Sequence, residues 1–151
     1  MRPDRIEEDD VLKGIDPLLN GEVLRILDLM GHGDELVLAD RNFPAHAGGK
    51  PVLWMGESGV VRTAEAILSV FPLDTFIEQP LARMQIGDDP SAENDTQRAV
   101  LDVARTTNPH VTGFEVVPRF DLYARAARAF AVVQTLETAP YCVFVLTKGV
   151  V

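Results

Sequence analysis

The amino-acid sequence predicts an α/β fold, a single-domain α/β/α sandwich with a mostly parallel or mixed sheet. Three observations predict it. Segments with a helical apolar period alternate along the chain with short β-prone runs, the pattern of strand–helix units. Runs such as Leu36-Val37-Leu38-Ala39 and Val143-Phe144-Val145-Leu146 are apolar at consecutive positions, as in strands buried on both faces. The chain has 151 residues, 46% hydrophobic and 25% charged, which is the size and composition of one globular domain. At that length roughly 70% of the unfolded surface is buried on folding.

Taken in order, residues 1–10 are charged and lack apolar periodicity, so they read as a short solvated extension ahead of a domain over 11–151. Val23, Leu24, Ile26, Leu27 and Met30 recur at helical spacing, with Asn20 or Asp16 as candidate cap and Gly31 as the stop. That helix delivers His32 at its C-terminal end. Glu35 to Ala39 reads as a buried strand with a carboxylate, Asp40, at its exit. Arg41 to Lys50, with Pro44, Gly48 and Gly49, reads as a loop before a strand at Val52 to Met55. Thr63 is the expected cap of a helix carrying Ala64, Ile67, Leu68 and Phe71, closed by Pro72. A strand is expected at Leu81 to Ile86. Asn94 with Gln97 is a capping-box signal for a helix to about Thr107. Phe114 to Val117 reads as a strand ending at Pro118-Arg119, and Asp121 to Ala129 as an alanine-rich helix. Ala131-Val132-Val133 and Val143 to Leu146 are expected as strands at the end of the sheet.

Charge and composition exclude several classes of function. A net charge of -9 and a pI near 4.7 oppose nucleic acid and membrane surfaces, which need a basic face. No apolar run approaches the roughly 20 residues of a membrane span, and the N-terminus lacks a signal-peptide pattern, so a soluble cytoplasmic protein is expected. The single cysteine, Cys142, excludes an intrachain disulfide framework and fits a reducing compartment. In an apolar strand it reads as a small buried hydrophobe rather than a nucleophile.

Ligands of open α/β sheets collect beyond the carboxyl ends of strands, which makes Asp40 and Arg119 candidates. His32 sits in Gly31-His32-Gly33, where glycines permit unusual backbone angles, and an imidazole exchanges protons near neutral pH. A carboxylate near it would orient it or bind hydroxyls, which is chemistry suited to proton shuttling. The plain structural readings are a helix C-cap for His32, a turn residue for Asp40, and a strand-end pair with Glu115 or Asp121 for Arg119. His46, His110 and His32 show no ligand spacing, so no metal is expected. Gly31-His32-Gly33 lacks the third glycine of a dinucleotide fingerprint, and no P-loop or Gly-x-Ser-x-Gly elbow occurs, so no cofactor is expected. Trp54, Phe71 and Phe130 fall in apolar runs and read as core, with Trp54 also a candidate stacking platform.

Five segments together resemble a known family. They are Leu12 to Leu19, Met30-Gly31-His32-Gly33-Asp34-Glu35, Ala39-Asp40-Arg41-Asn42-Phe43-Pro44-Ala45, Arg119-Phe120-Asp121-Leu122-Tyr123, and Tyr141 through Lys148-Gly149-Val150. In order and spacing they are similar to the sugar mutarotases of the RbsD/FucU type, which comprise L-fucose mutarotase and D-ribose pyranase. The resemblance implies an isomerase that interconverts the anomers of a free monosaccharide without a cofactor. It implies His32 as proton donor, with Asp40, Arg119 and Tyr141 lining the sugar site, and Arg119 leaning toward the fucose branch. It also implies ring-like homo-oligomers, a decamer among them, with sites near subunit contacts. The chain departs from the family's Tyr-Gly-Asn or Tyr-Ala-Asn in reading Tyr141-Cys142-Val143, and valine offers no side-chain hydrogen bond to a hydroxyl. That departure motivates a second function, a non-catalytic monosaccharide-binding protein, and the implied ring-like oligomers motivate a third, a scaffold that serves only assembly.

Overall fold

Residues 11–151 are described by the computed structural model, and the expected extension over 1–10 lies outside them. Among the described residues four helices are interspersed with six strands, beginning with α1 at Gly21–Leu29. Asn20, rather than Asp16, caps α1 by accepting from the Val23 N–H at 2.9 Å. Asp16 instead takes both guanidinium nitrogens of Arg62 at 2.7 Å, tying the chain ahead of α1 to the second helix. Strands β1 (Glu35–Ala39) and β2 (Val52–Met55) follow, then α2 (Val60–Leu68).

The start of α2 departs from the sequence expectation. Gly59 occupies the N-cap position, and Thr63 lies one turn inside, buried, with its hydroxyl donating to the Gly59 carbonyl at 2.9 Å. Phe71 lies past the end of α2 yet is only 2% exposed, so its burial belongs to the following turn. Strand β3 covers Leu81–Met84 and stops two residues short of Ile86, which instead pairs with Asp89 across a turn. Helix α3, Asp95–Thr107, has the full capping box of Asn94 and Gln97. Strand β4 is Glu115–Val117, and α4 runs Arg119–Ala126, starting two residues before Asp121 because Pro118 presets the N-cap backbone. Strands β5 (Ala131–Thr135) and β6 (Phe144–Thr147) complete the sheet.

The strand order is β2-β5-β1-β6-β3-β4. Strands β5 and β6 therefore flank β1 in the interior, and the expectation that they lie at the end of the sheet is corrected. The pairs β1·β5, β2·β5 and β3·β4 are parallel, whereas β6 runs antiparallel to both β1 and β3. The sheet is mixed, with one reversed strand at its centre. Burial follows position: β1, β3, β5 and β6 are covered on both faces, while the edges β2 and β4 are half open.

Side chains alternate across the sheet as a two-residue period requires. Leu36, Leu38, Val133, Phe144 and Leu146 meet Val23, Ile26, Ala64, Ile67, Val100 and Ala104 of α1, α2 and α3 on one face. Val37, Ala39, Ala82, Val132, Val143 and Val145 meet Leu122 and Ala126 of α4 on the other. Trp54 is 54% exposed on the open edge, under the Arg41 guanidinium at 4.7 Å, so it is not the core residue the sequence suggests. Among the described residues no helix is long and apolar enough to cross a membrane.

Candidate active site

The turn that carries His32 is built by the end of α1 and the reversed strand β6. Lys148 Nζ donates to the carbonyls of Leu27, at 2.7 Å, and Met30, placing a cation at the negative end of the α1 dipole. Gly33 N donates to the Lys148 carbonyl at 2.8 Å, and Lys148 N donates to that of Asp34 at 2.9 Å. Gly33 has φ +87°, a backbone state that glycine adopts without a Cβ clash. Gly31 N donates to Asp34 Oδ2 at 2.7 Å, closing the turn. His32 is thus fixed at the amino-terminal end of β1 with its side chain 39% exposed.

On the far side of residues 147–149 runs the segment that supplies Asp74. Asp74 N donates to the Thr147 carbonyl at 3.0 Å, Gly149 N donates to that of Pro72 at 2.8 Å, and Leu73 bridges Lys148. Gly149 has no alternative here, since a Cβ would lie 2.8 Å from the Asp74 Cα and 2.9 Å from the Leu73 oxygen. The result is a pair: His32 Nε2 lies 2.9 Å from Asp74 Oδ1, and Asp74 is only 3% exposed. Burial alone would raise the Asp74 pKa, but hydrogen bonds from His32 and from the backbone N–H groups of Phe76 and Thr75 outweigh it and hold the carboxyl below its ordinary value. The Phe76 ring meets the imidazole edge-on at 4.9 Å, and His110 Nε2 lies 3.1 Å from the Asp74 carbonyl oxygen.

Sequence reasoning gives no signal for Asp74. It stands 42 residues from His32, and only the insertion of β6 beside β1 brings the two together.

The other expected residues gather at the opposite end of the sheet. Asp40 leaves the carboxyl end of β1, where Oδ1 accepts from Asn42 N at 3.0 Å and Oδ2 from Cys142 N at 3.2 Å. It is 6% exposed, and burial raises its pKa above the ordinary carboxylate value against those backbone hydrogen bonds, with the nearby charge of Glu137 acting in the same direction as burial. Tyr141 reaches this end because β6 runs backwards. It has φ +61°, a left-handed conformation costly for a residue with a Cβ, and no other non-glycine residue among those described has a positive φ. Cys142 behind it is fully buried, and burial, with Glu137 and Asp40 nearby, pushes its thiol up to about 12, which keeps it protonated at neutral pH.

Arg119 opens α4 at the carboxyl end of β4, exposed, with Nε donating to Tyr123 Oη at 2.9 Å and the guanidinium over the Phe120 and Tyr123 rings, 5.3 Å from each centroid. Glu115 pairs with Arg125 at 2.9 Å rather than with Arg119, the partner offered by the plain structural reading of Arg119. The Tyr123 ring meets Phe43, three residues past Asp40, at 5.4 Å, which links Arg119 to the Asp40 end. Val143 is 1% exposed among the apolar side chains beneath α4. A cavity of about 170 Å³ lies beside this end, walled by Phe43, Pro44, Lys50, Tyr123 and Val132, and none of Asp40, Arg119 and Tyr141 lines it.

Within one chain, then, His32 and Asp40 do not meet. The five residues of β1 alone place about 13 Å between its ends, at ~3.3 Å per residue. The carboxylate beside His32 is Asp74, and Asp40 groups with Tyr141. Among the described residues no cluster of three His, Cys, Asp or Glu side chains that could hold a metal ion occurs.

Comparison with known proteins adds to this geometry. An L-fucose mutarotase of Actinobacillus pleuropneumoniae is 44% identical over 144 residues, 93% of this chain and 97% of that protein. The structure of FucU from Bifidobacterium longum superposes with a TM-score of 0.86 at 33% identity, covering 92% of this chain and 99% of the other. A fucose mutarotase from Streptococcus pneumoniae, solved in complex with L-fucose, gives a TM-score of 0.78 at 30% identity, covering 93% and 99%. The model of one family matches residues 13–151, from the turn before α1 to the last residue, and the chain belongs to that family, the RbsD / FucU transport protein family.

Proposed function

We propose that this protein is a mutarotase that interconverts the anomers of a free, fucose-like monosaccharide by general acid/base opening and closure of its ring. The observation that carries the reading is the His32–Asp74 pair, a partly exposed imidazole held at 2.9 Å by a buried carboxylate. In ring opening the C1–O5 bond breaks while a proton leaves the anomeric hydroxyl and another reaches O5. Rotation about C1–C2 and the reverse steps give the other anomer. His32 is the proton donor, and the Asp74 carboxylate stabilises its cationic form. Asp40 accepts the anomeric proton or binds a hydroxyl, and Tyr141 and Arg119 hold the sugar. The relatives named for L-fucose support the choice of sugar class.

His32 and Asp40 serve one sugar only where different copies of the chain abut. The two ends carry different exposed aromatic groups, Phe76 (72% exposed) beside His32 and Phe120 (74%) beside Arg119. A head-to-tail contact between unlike patches forms a ring where the rotation between copies closes and an open filament where it does not, and the ring is the form the family resemblance implies. Residues 11–151 form one sugar-mutarotase domain in this reading, and the lone Cys142 supports a reducing, cytoplasmic compartment.

Saturation-transfer NMR between the anomers of L-fucose, D-ribose and D-galactose tests the function. Exchange accelerated by the protein and abolished by His32→Ala is the expected result. Binding without exchange supports instead a non-catalytic sugar-binding protein, a reading favoured by Val143, whose buried apolar side chain offers the sugar no hydrogen bond. Neither binding nor exchange overturns both and leaves a scaffold that serves assembly.

A further inference from the structure

We infer that Asn94 and Gln97, the capping box of α3, are positioning residues that fix where Tyr141 meets the sugar. The inference rests on the mutarotase reading above. It starts from the cost of the Tyr141 backbone, whose φ of +61° a residue with a Cβ holds only when its surroundings enforce it.

Three bonds enforce it, and two come from α3. Gln97 Nε2 donates to the Tyr141 carbonyl at 2.9 Å and to that of Met84 at 3.1 Å. Asn94 Nδ2 donates to the Pro140 carbonyl at 3.0 Å. The third bond is Cys142 N to Asp40 Oδ2 at 3.2 Å, so the same turn that presents the tyrosine also orients the Asp40 carboxylate. Gln97 is fully buried, and its Oε1 accepts from Asn94 N at 3.2 Å while Asn94 Oδ1 accepts from Gln97 N at 2.8 Å. Each side chain therefore does two jobs, one for the helix and one for the turn. A capping box needs only the acceptor oxygens. The amide NH₂ groups that Asn and Gln add are the ones spent on residues 140 and 141, and Ser or Glu in their places would cap the helix without those donors.

This separation of roles supplies the test. Asn94→Ser keeps a good N-cap oxygen and removes the amide donor to Pro140, whose carbonyl keeps only the weak Cys142 Sγ contact at 3.4 Å. Gln97→Met keeps length and burial and removes both donors together with the oxygen that accepts from Asn94 N, so it tests the turn and the cap at once. Mutarotation of L-fucose, D-ribose and D-galactose, measured over a range of sugar concentrations, separates KM from kcat, and thermal melting reports stability. A displaced binding group weakens ground-state and transition-state binding alike and raises KM. The expected result for Asn94→Ser is a KM about fivefold to tenfold higher, as for the loss of one hydrogen bond, with kcat and melting close to wild type. Gln97→Met raises KM further. A purely structural role lowers the folded fraction, hence the apparent kcat and the melting temperature, and leaves KM where it was. Wild-type KM in Asn94→Ser, with a wild-type protein that is active, overturns the inference and leaves the mutarotase reading intact. A wild-type protein that accelerates no anomer exchange overturns both.

Discussion

Asp74→Asn is the substitution whose effect follows most directly from the geometry. Asparagine matches aspartate in shape, keeps an oxygen for His32 Nε2 at 2.9 Å and for Phe76 N at 3.2 Å, removes the charge and turns the second oxygen into an NH₂ donor. A hydrogen bond between charged partners contributes about 1.5–3 kcal/mol, against about 0.5–1.5 kcal/mol for a neutral one. The cationic form of His32 thus loses about 1–2 kcal/mol of support. At about 1.4 kcal/mol per factor of ten, kcat/KM falls by about fivefold to thirtyfold. The His32 side chain is 39% exposed and water screens the pair, which favours the lower figure. His32→Ala, which removes the proton donor itself, costs about 10²–10⁴-fold. Saturation transfer between the anomers of L-fucose gives both rates, with circular dichroism and thermal melting as controls for folding. A folded Asp74→Asn protein at the wild-type rate would refute the proton-donor pair.

Other outcomes follow from the same structure. Gly149→Ala forces a Cβ to within 2.8 Å of the Asp74 backbone, so it should lower the melting temperature and cut kcat/KM together, whereas Gly113→Ala, where a Cβ meets nothing within 4 Å, should do neither. The raised pKa of Asp40 means that it is protonated, and lost as a base, at a higher pH than an exposed aspartate near ~3.9. The acid limb of the kcat/KM profile should lie above that value, and an acid limb at or below it contradicts the role given to Asp40. In stability the two carboxylates act oppositely. The contribution of Asp74, whose folded pKa is lowered, is fully present above ~3.9 and is lost as pH falls through its folded value. That of Asp40, whose folded pKa is raised, is largest below ~3.9 and is lost as pH rises through its folded value. Asp74→Asn should accordingly flatten the acid side of a stability–pH curve. Cys142, buried with its thiol pushed up to about 12, should resist iodoacetamide in the native protein at pH 8 and react once denaturant is added.

Much of the fold is legible because local signals agree with the tertiary arrangement. Asn94 and Gln97 mark the start of α3 and Thr107 its end, and the apolar run of β1 ends at Asp40 as its pattern indicates. Where the reading misses, a non-local contact decides. Thr63 looks like a cap but is buried one turn inside α2, where its hydroxyl is satisfied by the Gly59 carbonyl. Trp54 looks like core but sits half exposed on an edge strand, with the Arg41 guanidinium over its ring. The place of β6 is the largest omission, since no sequence pattern says that the last strand inserts, reversed, between β1 and β3. Strand β1 itself separates His32 from Asp40, and the insertion of β6 brings Asp74 to His32 and carries Tyr141 to the Asp40 end. His32, Asp40, Arg119 and Tyr141 are legible as candidates by their chemistry, whereas Asp74 and the grouping of the others are not.

In the mutarotase reading one sugar uses His32 of one copy and Asp40 of another. It is tested by mixing two inactive variants, His32→Ala and Asp40→Asn, dissociating and reassembling them together, and measuring anomer exchange of L-fucose. In a head-to-tail ring of randomly mixed copies about one contact in four joins an intact His32 to an intact Asp40. Activity should return to about a quarter of wild type. Exchange that stays at the level of the separate variants, in a mixture shown to have reassembled, would contradict it.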